Sequence, residues 1–402
     1  MGQAVVVGAG VGGLAAAGAL ARIGWRVTLL EQGDRLRADP AGLLLWPNGV
    51  RALRALGLAD GLDSIATPVP AGGIRRADGS WLLQPGATTA QSPRTAPVVV
   101  HREDLHDALI ARLTASIDIR TGITVRQTRV ATGERPSVTD GRTTWEADLL
   151  IGADGIGSAV RRAIAPEAGL VSSGYAAWRA VIPWYRAPHL GPDVAVTAEI
   201  LGGDYRFTAA SLGERGSAGA STRGGIYWQA TVAGAARPEA PATQLALLRR
   251  WFERWPAPVG DLLAVTDPDD LVQHDVREIN PPLTEFGVSA ATGGVVLVGD
   301  AAHGMAHHLA QGACLAFEDV ATLAALAKEA VPGEKLRAAV LAYSKARVQR
   351  SAAVARQTKR VGAVLAPRGR LGTRARDAAF GMLSTRVLDK ARAEATAWFP
   401  PA

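Results

Sequence analysis

Cysteine is nearly missing from this chain: Cys314 is the one thiol in 402 residues. An internal disulfide is therefore excluded, and a reducing compartment is the expectation that goes with that. Long apolar runs are missing too. No uninterrupted stretch approaches the ~18 residues needed to span a bilayer, so no membrane contact is expected and a cytoplasmic protein is the default. The opening segment, MGQAVVVGAG, has no basic region before its apolar run and reads as a strand rather than a signal peptide. Blocks of like charge are absent as well. The net charge of +7 and the pI near 10.0 make the surface basic. With no run of five like charges and no nucleic-acid module, that basicity suits anionic small molecules and phosphate-bearing cofactors, and no nucleic-acid partner is expected.

What is present is ordinary for a globular enzyme. Apolar residues make up 48% and charged residues 20%, which argues against disorder. At about 150 residues per domain, two or three domains are expected. Val5 to Val7 is a short β-branched run, followed by glycines, the helical pattern LAAAGALARIG and a second apolar strand, RVTLLE, ending at Glu31. These make a βαβ unit. HREDLHDALIARL (101–113) reads as a helix, and ADLLIGADGIGSAVRRAI (147–164) as strand, turn and short basic helix. From about Pro166 to Pro282 the pattern changes to alternating segments such as YAAWRAVIPWY and GGIYWQATV, which predict a mostly antiparallel sheet. The stretch 294–329 returns to strand, loop and helix, and residues from about Leu336 onward are helical, with breaks at Pro367 and Gly369.

The expected architecture is α/β (α+β). A Rossmann-like nucleotide-binding domain is built from 1–70, 98–165 and 286–365. A β-rich substrate domain takes 71–97 and 166–285, and 366–402 forms a C-terminal helical segment.

Three constellations carry chemistry. GAGVGG places Gly8, Gly10 and Gly13 in G-x-G-x-x-G, directly between a strand and a helix. The first glycine permits a tight turn, the second lets backbone approach a pyrophosphate, and the third allows close helix–strand packing. Glu31, about 20 residues on, can accept both ribose hydroxyls. The bare motif is weak, but in this context dinucleotide binding is favoured, with NAD and FAD both open. Second, Asp300 ends the VVLV strand. It either caps the following helix or accepts sugar or ribityl hydroxyls at the carboxyl end of a sheet. Third, the helix starting near Gln311-Gly312-Ala313 presents free N–H groups and a positive dipole end.

Three separated motifs then identify a resemblance: GAGVGG with Glu31, ADGIGS with Arg161, and GDAAH…QGACLAFED. Supporting matches are WPNGVRAL (46–53), HREDLHDAL (101–109) and GYAAWRAV (174–181). Over nearly its whole length the chain resembles the class A flavoprotein monooxygenases, the single-component aromatic hydroxylases of the p-hydroxybenzoate and salicylate hydroxylase type. The resemblance implies FAD, with its ADP end on Gly8, Gly10, Val11, Gly12, Gly13 and Glu31, and with Val125 beside it. It puts Arg102 at the phosphate or ribityl region, Asp154 where FAD and NAD(P)H are both handled, Asp300 on ribityl hydroxyls, and Gly312 and Ala313 at the flavin pyrimidine edge. Arg161 and Arg162 either attract the NADPH phosphate or form a solvated basic helix face. NAD(P)H binds transiently, in keeping with the lack of a second G-x-G-x-x-G. The implied reaction reduces FAD, adds O2 at the flavin C4a position and transfers one oxygen from the hydroperoxide to an aromatic or polyketide-like substrate.

One loop departs from the family pattern. Where a proline, an asparagine and a glycine are usual, this chain has His307, His308 and Ala310. The histidines either fill the loop and make local hydrogen bonds, or one of them acts as a general base or donor to a substrate hydroxyl, since imidazole titrates near neutral pH. A metal site on His303 and His307 lacks a third ligand, so no metal is expected. His307, His308 and Arg206 are the catalytic candidates, with Tyr227, Trp228 and Gln229 on neighbouring strands. Cys314 opens a helix, where a thiol pKa can fall, but a packed small residue is the safer expectation. Same-fold epoxidation or Baeyer–Villiger chemistry stays open, as does a redox-silent FAD-scaffolded cyclase or binding protein. A halogenase is disfavoured because WRAVIPW (178–184) lacks the second tryptophan of W-x-W-x-I-P. A monomer or homodimer is expected.

Overall fold

A computed structural model describes residues 2–70, 72–84, 97–131, 133–191, 194, 196–213, 223–236, 238–365, 369–382 and 393–401. Its first layer is a six-stranded sheet in the order Gly287–Ser289, Gly294–Leu297, Leu149–Gly152, Gln3–Val7, Arg26–Leu30, Ile117–Arg120. All neighbours are parallel except the first pair. Parallel strands buried on both faces need continuous apolar sequence. Val5, Val6, Leu150, Ile151, Val295 and Val296 supply it, each at most 3% exposed. The helix Val11–Arg22 packs on this sheet, the helix Gly312–Ala327 packs on that helix in turn, and their alanines allow close approach.

The second layer is a seven-stranded sheet in the order Val272–Asn280, Gly169–Ile182, Ile226–Ala233, Tyr205–Ser211, Glu199–Gly202, Ile74–Arg76, Trp81–Leu83. Its pairs are antiparallel apart from Glu199–Gly202 with Ile74–Arg76. Successive side chains of a strand point to opposite faces. One face therefore buries Trp178, Ala180, Ile182, Phe207 and Trp228 under the helices Pro241–Trp251 and Val259–Val265. The other face carries Arg179, Arg206, Gln229, Thr231 and His274, and its polarity belongs to a site rather than a core.

The 32-residue helix Glu334–Leu365 ends before Pro367, which lies outside the described residues. Gly369 opens the next helix with φ +75°, a value only glycine adopts freely. Among the described residues no helix is long and apolar enough to cross a membrane.

Candidate active site

At the first turn Gly8 has φ +97°, and a Cβ there would lie 2.5 Å from the Ala153 carbonyl oxygen. At Gly13 a Cβ would meet the Gly8 carbonyl oxygen at 1.9 Å, so helix and strand touch backbone to backbone. Gly10 faces open space, and Gly12 has only the Ala316 methyl near it, at 3.5 Å. The helix opens at Val11 with Gly10 as a cap that offers no side chain, which leaves its first amides available to a phosphate. Glu31 is fixed by two amides: Ala9 N–H donates to Oε2 at 2.7 Å and Gly33 N–H to Oε1 at 2.8 Å. Ile123 N–H donates to the Glu31 carbonyl, drawing the segment that holds half-buried Val125 alongside.

Further along the same sheet edge, Asp154 accepts from Ala159 N–H at 2.7 Å through Oδ2, while its buried Oδ1 has no partner. An orphaned buried acceptor is costly unless something donates to it, and a cofactor hydroxyl is the natural donor. Asp300 is exposed at the end of the strand Gly294–Leu297, past Gly299 with φ +62°. It is not the helix cap, since Gly299 takes that place. A Cβ on Gly312 would have Asp300 Oδ1 as its near neighbour, at 3.7 Å. The Asp300 carboxylate thus faces the start of the 16-residue helix Gly312–Ala327, whose Gln311 cap accepts from none of the first-turn amides and leaves the Gly312 and Ala313 end open. Arg102 begins its own helix and sits 3.9 Å from the exposed Asp39, a loose pairing that leaves its charge available. This cradle fits FAD. It has bare amides for the pyrophosphate, carboxylates for ribose and ribityl hydroxyls, and a dipole end for the flavin.

Arg161 departs from both sequence readings. It is 2% exposed, and its guanidinium donates to the Ile156 and Ala301 carbonyls, so it ties two loops together and offers no charge to a nucleotide. Arg162 stays exposed and bonds the Gly157 carbonyl. Cys314 packs inside the protein, its thiol pushed up to about 12 by burial. His303 donates to Asp319 at 2.7 Å, with both groups buried. Among the described residues no cluster could hold a metal ion.

The departing loop reaches the polar face of the second sheet. His307 Nε2 lies 3.2 Å from Thr231 Oγ1, and the Arg206 guanidinium stands 3.4 Å from His308 Nδ1 while pairing with Glu199 at 2.6 Å. Tyr175 meets the His308 ring edge to face at 5.7 Å, and the helix Glu334–Leu365 closes on it at Gly362, where a Cβ would come within 2.6 Å. Tyr227 donates to Gln229 at 2.9 Å. Trp228 turns the other way, buried and bonded to Thr266, as strand alternation requires. Sequence reasoning missed Arg179 and His274. Arg179 pairs in register with Gln229, His274 with Ala177, and both present a buried ring or guanidinium nitrogen without a partner. Alternation in YAAWRAV could have flagged Arg179. Nothing short of the strand register brings His274 beside it. Ala310 has φ +50°, the left-handed conformation that explains a glycine as the commoner residue there.

Burial, then the nearby Arg206, pushes His307 down to about 3 and His308 to about 4; burial, then Arg179, pushes His274 to about 4. At neutral pH all three rings are uncharged hydrogen-bonding groups. Their folded values lie below the free-imidazole value of about 6.5, so the unfolded chain takes up the protons first. The stability they contribute is complete above about 6.5 and drains away as pH falls toward 4 and 3, with a slope of up to about 1.4 kcal/mol per pH unit for each ring. Melting temperature followed from pH about 7.5 to 4.5 should fall less steeply in His307→Asn than in the natural protein. Parallel curves would show that His307 is not among the groups responsible.

Comparison with known proteins agrees with this geometry. Residues 1–358 match the family described as FAD binding domain. The chain is 30% identical over 367 residues to the aurachin C monooxygenase/isomerase of Stigmatella aurantiaca, covering 90% of this chain and 88% of that protein. It is 35% identical over 366 residues to 3-amino-4-hydroxybenzoate 2-monooxygenase of Streptomyces cremeus, covering 89% and 86%. Klebsiella pneumoniae HpxO, solved with FAD and uric acid, shares the fold with a TM-score of 0.81 at 23% identity, over 98% of this chain and 96% of that one. With the first turn, the Asp300 edge and the match over most of the chain all in place, this protein belongs to the FAD-binding family and is an oxidoreductase of the class A flavoprotein monooxygenase, aromatic-hydroxylase-like type.

Proposed function

We propose that this protein is an NAD(P)H-consuming, FAD-dependent monooxygenase of an electron-rich aromatic or polyketide-like substrate. The observation that carries the reading is the bridge from cofactor cradle to sheet. The loop that starts at Asp300 ends with His307 on Thr231 and His308 beside Arg206, so a ligand lying on that sheet face borders the flavin end of the cradle. In this reading 1–70, 98–165 and 286–365 hold the cofactor, and 71–97 with 166–285 shape the substrate side.

In this reading the residues take the following roles. Gly8, Gly10, Val11, Gly12 and Gly13 hold the pyrophosphate, Glu31 the ribose, and Val125 packs beside it. Arg102 balances phosphate charge. Asp154 and Asp300 accept cofactor hydroxyls, and the amides of Gly312 and Ala313 stabilise negative charge at the flavin. FAD, when bound, would supply the redox chemistry that couples oxidation of NAD(P)H to insertion of one oxygen atom of O2 into the substrate, the other leaving as water. The protein orients the substrate and keeps water out. His307, neutral and half-buried, hydrogen-bonds a substrate hydroxyl without charging. Arg206 is locked by Glu199 and positions His308. Arg179 offers a buried Nε donor without a hydrogen-bond partner.

Anaerobic mixing of the yellow protein with NADPH or NADH, with and without a panel of phenols, tests this reading. At least one phenol should accelerate bleaching of the flavin absorbance. If dithionite bleaches the flavin but neither nucleotide does with any phenol, the protein is redox-silent and the reading falls.

A further inference from the structure

Strand alternation puts Arg179, Gln229 and His274 on the sheet face that meets the loop carrying His307. Arg179 lies opposite Gln229, and one row away Ala177 lies opposite both Thr231 and His274. Ala306 packs with Ala177 and Val276, so the loop crosses the sheet one row from Arg179. On the other side the Tyr227 ring presses on the Gly42 backbone, where a Cβ would come within 2.6 Å, and the Arg102 amide donates to the Ala41 carbonyl. Arg179 therefore stands at the seam between sheet and cradle, within electrostatic reach of Arg102, Asp39, His274 and His307. Its buried Nε and the buried His274 Nε2 have no hydrogen-bond partner. The acid in reach, Asp39, is 69% exposed and lies against Arg102, and Glu199 is taken by Arg206 at 2.6 Å. A guanidinium drawn partly out of water without hydrogen bonds is costly, and its planar fork matches the geometry of a carboxylate. One row of the strand spans about 7 Å at ~3.3 Å per residue. A carboxylate at Arg179 thus sets the ring attached to it beside the loop and His307.

We propose that Arg179 and His274 form an anion-binding end of the substrate site, where they take the carboxylate of an aromatic acid. Arg179 supplies the charged fork, and His274, as the Nε2–H tautomer, adds a neutral donor. The position of the ring rests on the monooxygenase reading; the anchoring of the carboxylate rests on the unpartnered donors.

Titrating the FAD-loaded protein with the three monohydroxybenzoates and the three matching hydroxybenzamides, read by the flavin difference spectrum, tests the anchor without turnover. At least one acid should bind roughly tenfold or more tighter than its amide, the advantage of a charge-assisted hydrogen bond over a neutral one. In Arg179→Gln, loaded with excess FAD, the two members of that pair should bind alike. Arg179→Lys, which keeps the charge and loses the fork, covers the case in which the glutamine variant fails to fold; it should weaken the acid more than the amide. His274→Leu should weaken the acid several-fold and leave the amide alone. No preference for any acid, no binding of any of the six compounds, or a preference that survives both Arg179 substitutions overturns the proposal. A lower FAD affinity in Arg179→Gln with the acid preference intact assigns Arg179 to the cofactor and overturns it as well. Equal binding of acids and amides with normal NAD(P)H bleaching removes the anchor alone. An acid preference without bleaching upholds the anchor and removes the monooxygenase reading.

Discussion

Arg347→Met should destabilise the protein by about 3–5 kcal/mol, the usual consequence of removing one partner of a buried ion pair. Glu318 and Asp319 are both fully buried, in the middle of the helix Gly312–Ala327. Arg347 reaches them from the helix Glu334–Leu365, with Nε to Asp319 Oδ1 at 2.6 Å and a terminal nitrogen to Glu318 Oε2 at 2.9 Å. Burial by itself would raise the Asp319 carboxyl, but His303 and Arg347 overcome it and hold that carboxyl below the usual range. Without Arg347, Glu318 keeps Arg350, while Asp319 is left with His303 and the Gly299 amide. The damage should extend to the cofactor. Asp319 anchors the turn before Asp300, and Glu318 holds Asn48, which also donates to the helix-capping Gln311 at 2.9 Å. Urea unfolding of the FAD-loaded protein measures the first effect, and FAD titration of the stripped protein the second. A loss below about 1 kcal/mol would mean that water or side-chain rearrangement compensates the two acids.

Gly13→Ala should yield protein that retains little or no FAD. The added methyl would sit 1.9 Å from the Gly8 carbonyl oxygen, a backbone atom that no rotamer change can move aside. The helix Val11–Arg22 must then shift off the strand Gln3–Val7, and overpacking of this kind costs roughly 1–3 kcal/mol or more. The same shift displaces the amides proposed to hold the pyrophosphate, so cofactor loss should exceed the loss of fold. The comparison is Gly12→Ala, where the new methyl meets only the Ala316 Cβ at 3.5 Å, an ordinary contact. The ratio of absorbance near 450 nm to that at 280 nm in purified protein reads the difference. Equal FAD content in the two variants would show that the close helix–strand contact does not set cofactor binding.

These two sites differ in how far sequence alone anticipates them. Gly13 is legible because its neighbours in space are its neighbours in the chain. Strand, turn and helix lie within one βαβ unit, and local steric rules assign each glycine a role. The apolar strands Leu149–Gly152 and Gly294–Leu297 are legible for the same reason: a continuous Val/Leu/Ile run admits few alternatives to a buried parallel strand. Asp300 and the Gly312 helix start follow as the chain leaves that strand. The Arg347 network is not legible. Nothing in a basic, alanine-rich helical segment tells which of its arginines turns inward, because that depends on the rotation of one long helix against another. Arg161 misleads similarly, since a basic helix face looks solvated until the Ile156 and Ala301 carbonyls are brought around it.

The substrate face shows the division most clearly. Alternation along YWQAT separates Tyr227, Gln229 and Thr231 from Trp228 and Ala230 without any coordinates. Which of the two sets faces the helices and which faces the flavin loop depends on contacts more than 60 residues away in sequence, such as Thr231 with His307 and Trp178 with Gln244. His274 joins Arg179 only through strand register. Local order along the chain is therefore sufficient for the short strand-to-helix turns proposed to hold the cofactor, because those turns carry steric signatures. Tertiary packing decides the substrate side, where side chains from four strands and one loop converge, and where burial turns histidines expected to titrate near neutrality into uncharged hydrogen-bonding groups.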